Sequence, residues 1–157
     1  MERPKFSFSI LIIPAVMLAI AAVAWPHLPE QIPVHFDLQG NPNGYGSRWV
    51  LIALSFMALG IGILLQAVPS IDPKKENYSK FGREYRLIIW ASEVLMLICQ
   101  LCTIGFALGY PVNIAFVISF AVGVLIAVCG NFMPRFRFNY FCGIRTPWTL
   151  ASEEVWF

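Results

Sequence analysis

Four stretches of this chain are long and apolar enough to cross a lipid bilayer as helices. About 20 apolar residues cover the hydrocarbon core. No charged residue occurs between Phe6 and Pro29, where Phe8–Trp25 is the predicted first span. Trp49–Val68, Leu87–Leu108 and Ile114–Phe132 are the second, third and fourth. Hydrophobic residues make up 58% of the chain and charged residues 13%, against about 25% charged in a typical soluble domain. In water such a chain would expose large apolar patches. The predicted fold class is therefore all-α: a polytopic membrane protein of four transmembrane helices forming one membrane domain over 1–157.

Charge distribution orients the spans. Arg3 and Lys5 precede the first span. Lys74, Lys75, Lys80, Arg83 and Arg86 lie in loop 69–86, and Arg135, Arg137 and Arg145 in the tail 133–157. Arg48 alone lies on the other side. Cytoplasmic loops carry the excess of Lys and Arg, so the reading is N-in and C-in, with 69–86 and the tail cytoplasmic and loop 26–48 outside. Trp25, Trp49 and Trp90 sit near span ends, where aromatic rings favour the interface. A secretory signal is the competing reading of the first segment, because Ala22-Val23-Ala24 offers a cleavage pattern. Its apolar run exceeds the roughly 7–15 residues of a signal core, so it is read as a retained span. Cys99, Cys102, Cys129 and Cys142 lie in spans or on the cytoplasmic side, so no disulfide is expected.

Small residues recur at helical spacing in Ala15, Ala19 and Ala22, in Gly105 and Gly109, and in Ser119, Gly123 and Ala127. These are candidate seams, since membrane helices gain contact by close approach. Pro14 is expected to kink the first span. On the third, Arg86, Glu93 and Gln100 are seven apart, with Thr103 three further on, and so are predicted to share a face. An ionisable group there faces the bundle or a water cavity. Glu93 serves either a proton, ion or ligand site, or a structural role in which it snorkels to the interface or pairs with a basic residue.

The outside loop alternates Ile32, Val34, Phe36 and Leu38 with Pro33, His35, Asp37 and Gln39, which predicts a short extended segment. Gly40–Gly46 reads as consecutive turns. His35 and Asp37, near His27 and Glu30, match no strong metal spacing, and no metal or cofactor is expected. In the tail, Arg135 and Arg137 alternate with Phe136 and Phe138, which suits an anionic headgroup surface. Thr146-Pro147 and Thr149 look like helix starts. The chain stops soon after, which suggests either a shortened chain or a final turn docked on the membrane.

Two stretches resemble the SdpI family of bacterial membrane proteins. One is Leu28-Pro29-Glu30-Gln31-Ile32-Pro33-Val34-His35-Phe36 with Gly40 to Ser47, similar to the domain of unknown function that often opens these chains. The other is Gly130–Pro134, then Asn139-Tyr140-Phe141-Cys142-Gly143-Ile144-Arg145-Thr146-Pro147-Trp148-Thr149-Leu150, then Ser152–Trp156. The resemblance implies a bacterial cell-membrane protein giving immunity to a secreted peptide toxin. It also implies signalling, by holding an ArsR-type repressor at the membrane. Family members usually continue into about two further spans. On this reading Pro29, His35, Asp37, Gly40, Gly44 and Gly46 belong to the toxin-facing loop. Asn139, Tyr140, Gly143, Arg145, Thr146, Pro147, Trp148, Thr149 and Glu153 form the cytoplasmic motif, whose Arg145–Thr149 turn would face the repressor together with loop 69–86. The bland alternatives are that the basic residues anchor anionic lipid and that Arg145 caps a helix or binds a lipid phosphate.

A different class of function is a small transporter or ion-pathway subunit using Glu93 and Gln100, which would need a homo-oligomer. A Glu93→Gln change should spare immunity and abolish transport. An enzyme is not expected: there is no G-x-S-x-G, H-E-x-x-H or phosphate-cradling loop. Net charge is only +2 and no basic stripe is present, so direct nucleic-acid binding is not expected either.

Overall fold

The computed structural model describes residues 7–156; Arg3 and Lys5 lie outside them. Its frame is four long helices: α1 (Ile12–Ala24), α2 (Val50–Ile71), α3 (Tyr78–Ala107) and α4 (Ile114–Phe132). With their short flanking turns, all four are long and apolar enough to cross a membrane. Between α1 and α2 a hairpin is formed by β1 (Gln31–Phe36) and β2 (Pro42–Ser47). Two short helices, α5 (Pro147–Ala151) and α6 (Glu153–Trp156), follow α4. The chain crosses and recrosses, so one end of the bundle carries the hairpin and the other carries the α2–α3 turn and the tail.

The apolar stretches lie where expected, but the helices carrying them extend further. α3 begins at Tyr78, so most of the segment predicted as loop 69–86 is helix, bent at Phe81 (φ −133°, ψ 22°). Pro14 does not kink the middle of a helix. Phe8–Leu11 forms a 3-10 turn and α1 starts at Ile12. Pro14 therefore sits in the first turn of α1, where its missing N–H leaves no hydrogen bond unmade. Trp90 is not at a helix end either: it packs against Ile13, Met17 and Ala58 within the bundle.

α1, α2 and α3 form the packed core, and α4 lies against α3. The seam of α1 runs through Ile13, Met17, Ala21 and Ala24. On α2 it runs through Leu51, Ser55, Ala58 and Gly62. The predicted small-residue seams are not used: Ala15, Ala19, Ala22, Ser119, Gly123 and Ala127 all face outward. The α1 seam instead mixes Ile13 and Met17 with Ala21 and Ala24, because lipid and protein neighbours are equally apolar and burial is set by shape rather than by hydrophobicity. Gly105 does meet a neighbour, with Val112 Cγ2 3.1 Å from where a Cβ would stand. A Cβ on Gly109 would meet open space, and the residue turns the chain at φ +84°.

Candidate functional site

Three constellations carry the polar chemistry of the described residues. The first is the hairpin. Its strands pair antiparallel, Ile32 opposite Gly46 and His35 opposite Gly44. Gly40–Gly46 is therefore not a run of turns, because β2 occupies most of it. The glycines make the pairing possible. A Cβ on Gly44 would stand 3.0 Å from His35 Cβ, and one on Gly46 would stand 3.1 Å from Val34 Cγ1. Asp37 closes the turn. Its Oδ1 accepts from the amides of Gln39 at 3.0 Å and Asn41 at 2.8 Å. Those bonds, the Asn41 amide foremost, hold its carboxyl below the usual carboxylate range. Gly40 adopts φ +85° and lies against Ala115 of α4. His35 Nδ1 pairs with Asn43 Oδ1. Pro29 and His35 face outward, whereas Asp37, Gly40, Gly44 and Gly46 shape the hairpin.

Buried Ile32 and the edge contact of Phe36 with Phe106 of α3 seat the hairpin on the bundle. Arg48 clamps its base. Its guanidinium lies 4.5 Å over the Trp25 ring and donates to the carbonyls of Trp25 and Leu28 at 3.3 and 3.1 Å. No group of three His, Cys, Asp or Glu among the described residues could hold a metal ion.

The second constellation lies at the opposite end of the bundle. Asp72, just beyond α2, is 2% exposed. Its Oδ1 accepts from the Lys74 amide at 2.7 Å. Its Oδ2 accepts from the Tyr78 hydroxyl and from the Tyr140 amide, both at 2.9 Å. Asn139, fully buried, uses Oδ1 to accept from the amides of Phe141 and Cys142 and Nδ2 to donate to the Arg137 carbonyl. Asn77 donates to the Phe138 carbonyl at 2.8 Å. The tail is thus tied to the α2–α3 turn through buried polar atoms.

Thr146 caps α5 in a reciprocal box with Thr149. α6 docks on the tail itself, with Trp156 Nε1 donating to the Phe136 carbonyl at 2.9 Å. Its ring closes edge-on against Phe138, over Gly143. Glu153 pairs with Lys74 at 2.6 Å, which holds the ammonium above its ordinary pKa. Arg145 donates to the Tyr140 carbonyl at 3.0 Å. Trp148 is 72% exposed, and Pro147 beside it also faces outward. Burial pushes the Cys142 thiol upward in pKa, so it is not a reactive thiolate.

The third constellation is inside the bundle. Gln100 donates to the Met17 carbonyl of α1 at 2.8 Å, and its Oε1 accepts from Ser55 of α2 at 3.4 Å. One side chain therefore joins three helices. Glu93 is wholly buried, and neither of its carboxyl oxygens has a hydrogen-bond partner among the described residues. It lies against Gly62 of α2, where any Cβ would collide with its Oε1. Arg86 does not share this face. The buried line runs Tyr85, Ile89, Glu93, in four-residue steps that each advance about 40° around the helix. Two turns from Glu93 the seam has therefore moved onto Tyr85, and Arg86 points outward with no ion pair among the described residues.

Sequence reasoning missed Asp72, Asn77, Tyr78 and Ser55. The available signal was Asp72 itself, the first acid after a long uncharged stretch, followed by Pro73 and then by Lys74 and Lys75.

A hairpin at one end, a docked tail at the other and a sealed polar seam between them define a polytopic membrane protein of four spans. Residues 10–59 match a domain of unknown function, DUF1648, and residues 135–157 match the SdpI/YfhL protein family. The "Immunity protein SdpI" of Bacillus subtilis (strain 168) is 31% identical over 150 residues, covering 93% of this chain and 68% of that relative. The chain belongs to the SdpI/YfhL family. No solved structure matches it.

Proposed function

We propose that this protein protects a bacterium against a secreted peptide toxin from within the cell membrane, with the hairpin outside and both ends in the cytoplasm. The observation that carries this reading is the 31% identity to an immunity protein over an alignment that covers 93% of the chain. The lopsided placement of Lys and Arg supports the orientation. Outside, the exposed side chains of Pro29 and His35 meet the toxin, on a scaffold that Asp37, Gly40, Gly44 and Gly46 hold in shape. Inside, the surface around Pro147, Trp148 and Arg145 faces a repressor held at the membrane. The buried Asp72–Tyr78–Asn139 knot supports that surface. Surrounding lysines and arginines attract anionic lipid, at about 1 kcal/mol each.

The test is survival of a toxin-sensitive bacterial strain expressing the full chain, with membrane potential recorded as toxin is added. Retained potential, lost on His35→Ala or Pro29→Ala with the protein still in the membrane, supports the reading. Depolarisation matching the empty vector refutes it. Trp148→Ala should spare survival and abolish recruitment of a tagged repressor. Loss of both would show that this surface serves immunity itself.

A further inference from the structure

We propose that Glu93 is an intramembrane proton-binding site, a neutral acid held in the α1–α2–α3 seam, independent of the immunity reading. Three observations converge on it. The side chain is fully buried and both oxygens are orphaned. An unpaired carboxylate in such surroundings carries a desolvation cost that a proton removes. Space for it is built into the opposing helix, because Gly62 is the residue whose Cβ would overlap Glu93 Oε1. Apolar side chains occupy this stretch of the seam: Ile10 is in contact range of the same point, and Ile13, Met17 and Ala58 cluster on the same helices.

No charged group reaches it from the packed elements. Described residues of the first span before His27, and all of α2, carry no Asp, Glu, Lys or Arg. His27, Arg48 and Asp72 lie at the ends of those helices. On α3 the nearest charges are Arg86, which points outward, and Glu84, which pairs with Arg135 at 3.2 Å. A single carboxyl with no second acid or ring nitrogen nearby does not make a metal site.

Polar side chains flank the carboxyl on both sides along the seam. Towards the basic end, one turn beyond Gly62, Gln66 exchanges hydrogen bonds with the backbone of Ser7 at 2.7 and 3.0 Å. Towards the hairpin end, Gln100 and Ser55 lie roughly 10 Å along α3, seven residues at about 1.5 Å each. Glu93 therefore stands between two polar stations on one seam.

The test uses the full chain in liposomes and an apolar carbodiimide. The carboxyl proton moves to a carbodiimide nitrogen while the carboxyl oxygen bonds to the central carbon. An oxygen-to-nitrogen acyl shift then leaves a stable N-acylurea, and no atom is lost. The expected result is one adduct per chain, mapped by peptide mass spectrometry to Glu93, absent in Glu93→Gln and tenfold weaker with a water-soluble carbodiimide. Mapping on the unaltered chain keeps the result readable if the variant misfolds. Three outcomes overturn the proposal: no adduct at Glu93, equal labelling by the water-soluble reagent, or protection by sodium ions, which would make it a cation site.

Discussion

Asp72 and Glu93 are two buried acids on one bundle with opposite surroundings. Asp72 lies at the basic end, where three donors converge on its carboxyl, two of them backbone amides. Glu93 lies in the seam and has none. The difference tracks the backbone around each. Beyond a helix end, amides are free to turn towards a carboxyl. Within a long helix they are already committed to carbonyls one turn back. Asp72 thus organises its surroundings, whereas Glu93 depends on its neighbours leaving it room.

That contrast is open to breakage. The largest effect should come from Asp72→Ala, which takes the side-chain acceptor from the Tyr140 and Lys74 amides and leaves the Tyr78 hydroxyl only its longer bond to Asn139. It should cost on the order of 4 kcal/mol and free the tail for proteolysis after residue 136, read by limited digestion in detergent. Gly62→Val should cost less, about 2 kcal/mol of overpacking, seen as a lower melting temperature; no change would mean that Glu93 does not need the gap. Glu93→Leu should melt at or above the unaltered chain, because it removes an unpaired polar group. A fall of several degrees would show that Glu93 makes bonds as Asp72 does.

The smallest effect concerns a third acid, half-buried in the hairpin turn. Asp37 has its pKa lowered from 3.8 by the bonds it accepts. Its contribution to the hairpin is present above that ordinary value and lost as pH falls through the lowered one. Acidification below about pH 4 should therefore increase amide exchange at Gln39 and Asn41 before the helices respond, and Asp37→Asn should blunt that dependence.

The sequence made the four spans legible because hydropathy and helix length report the solvent directly. It made β1 legible through the alternation of Ile32, Val34 and Phe36. β2 was hidden, since Gly44 and Gly46 look like turn residues until the strand opposite is known to bring His35 and Val34 against them. Helix faces were hidden for another reason. In lipid, an outward Ala15 and an inward Met17 meet equally apolar neighbours, so no periodicity marks the seam. Gln100 and Glu93 could be read as a polar face, but the failure of Arg86 to join them depends on how the seam winds around α3. Asp72 was invisible as an organiser because its partner Tyr140 stands 68 residues away.

That separation has a consequence for biosynthesis. When Asp72 leaves the ribosome, Lys74 and Tyr78 follow almost at once, but the Tyr140 amide does not yet exist. At about 5–20 residues per second, it arrives only after two further spans have been made. The α2–α3 turn therefore waits, incompletely bonded, through the insertion of α3 and α4, and becomes locked only once α4 has returned the chain to the same side.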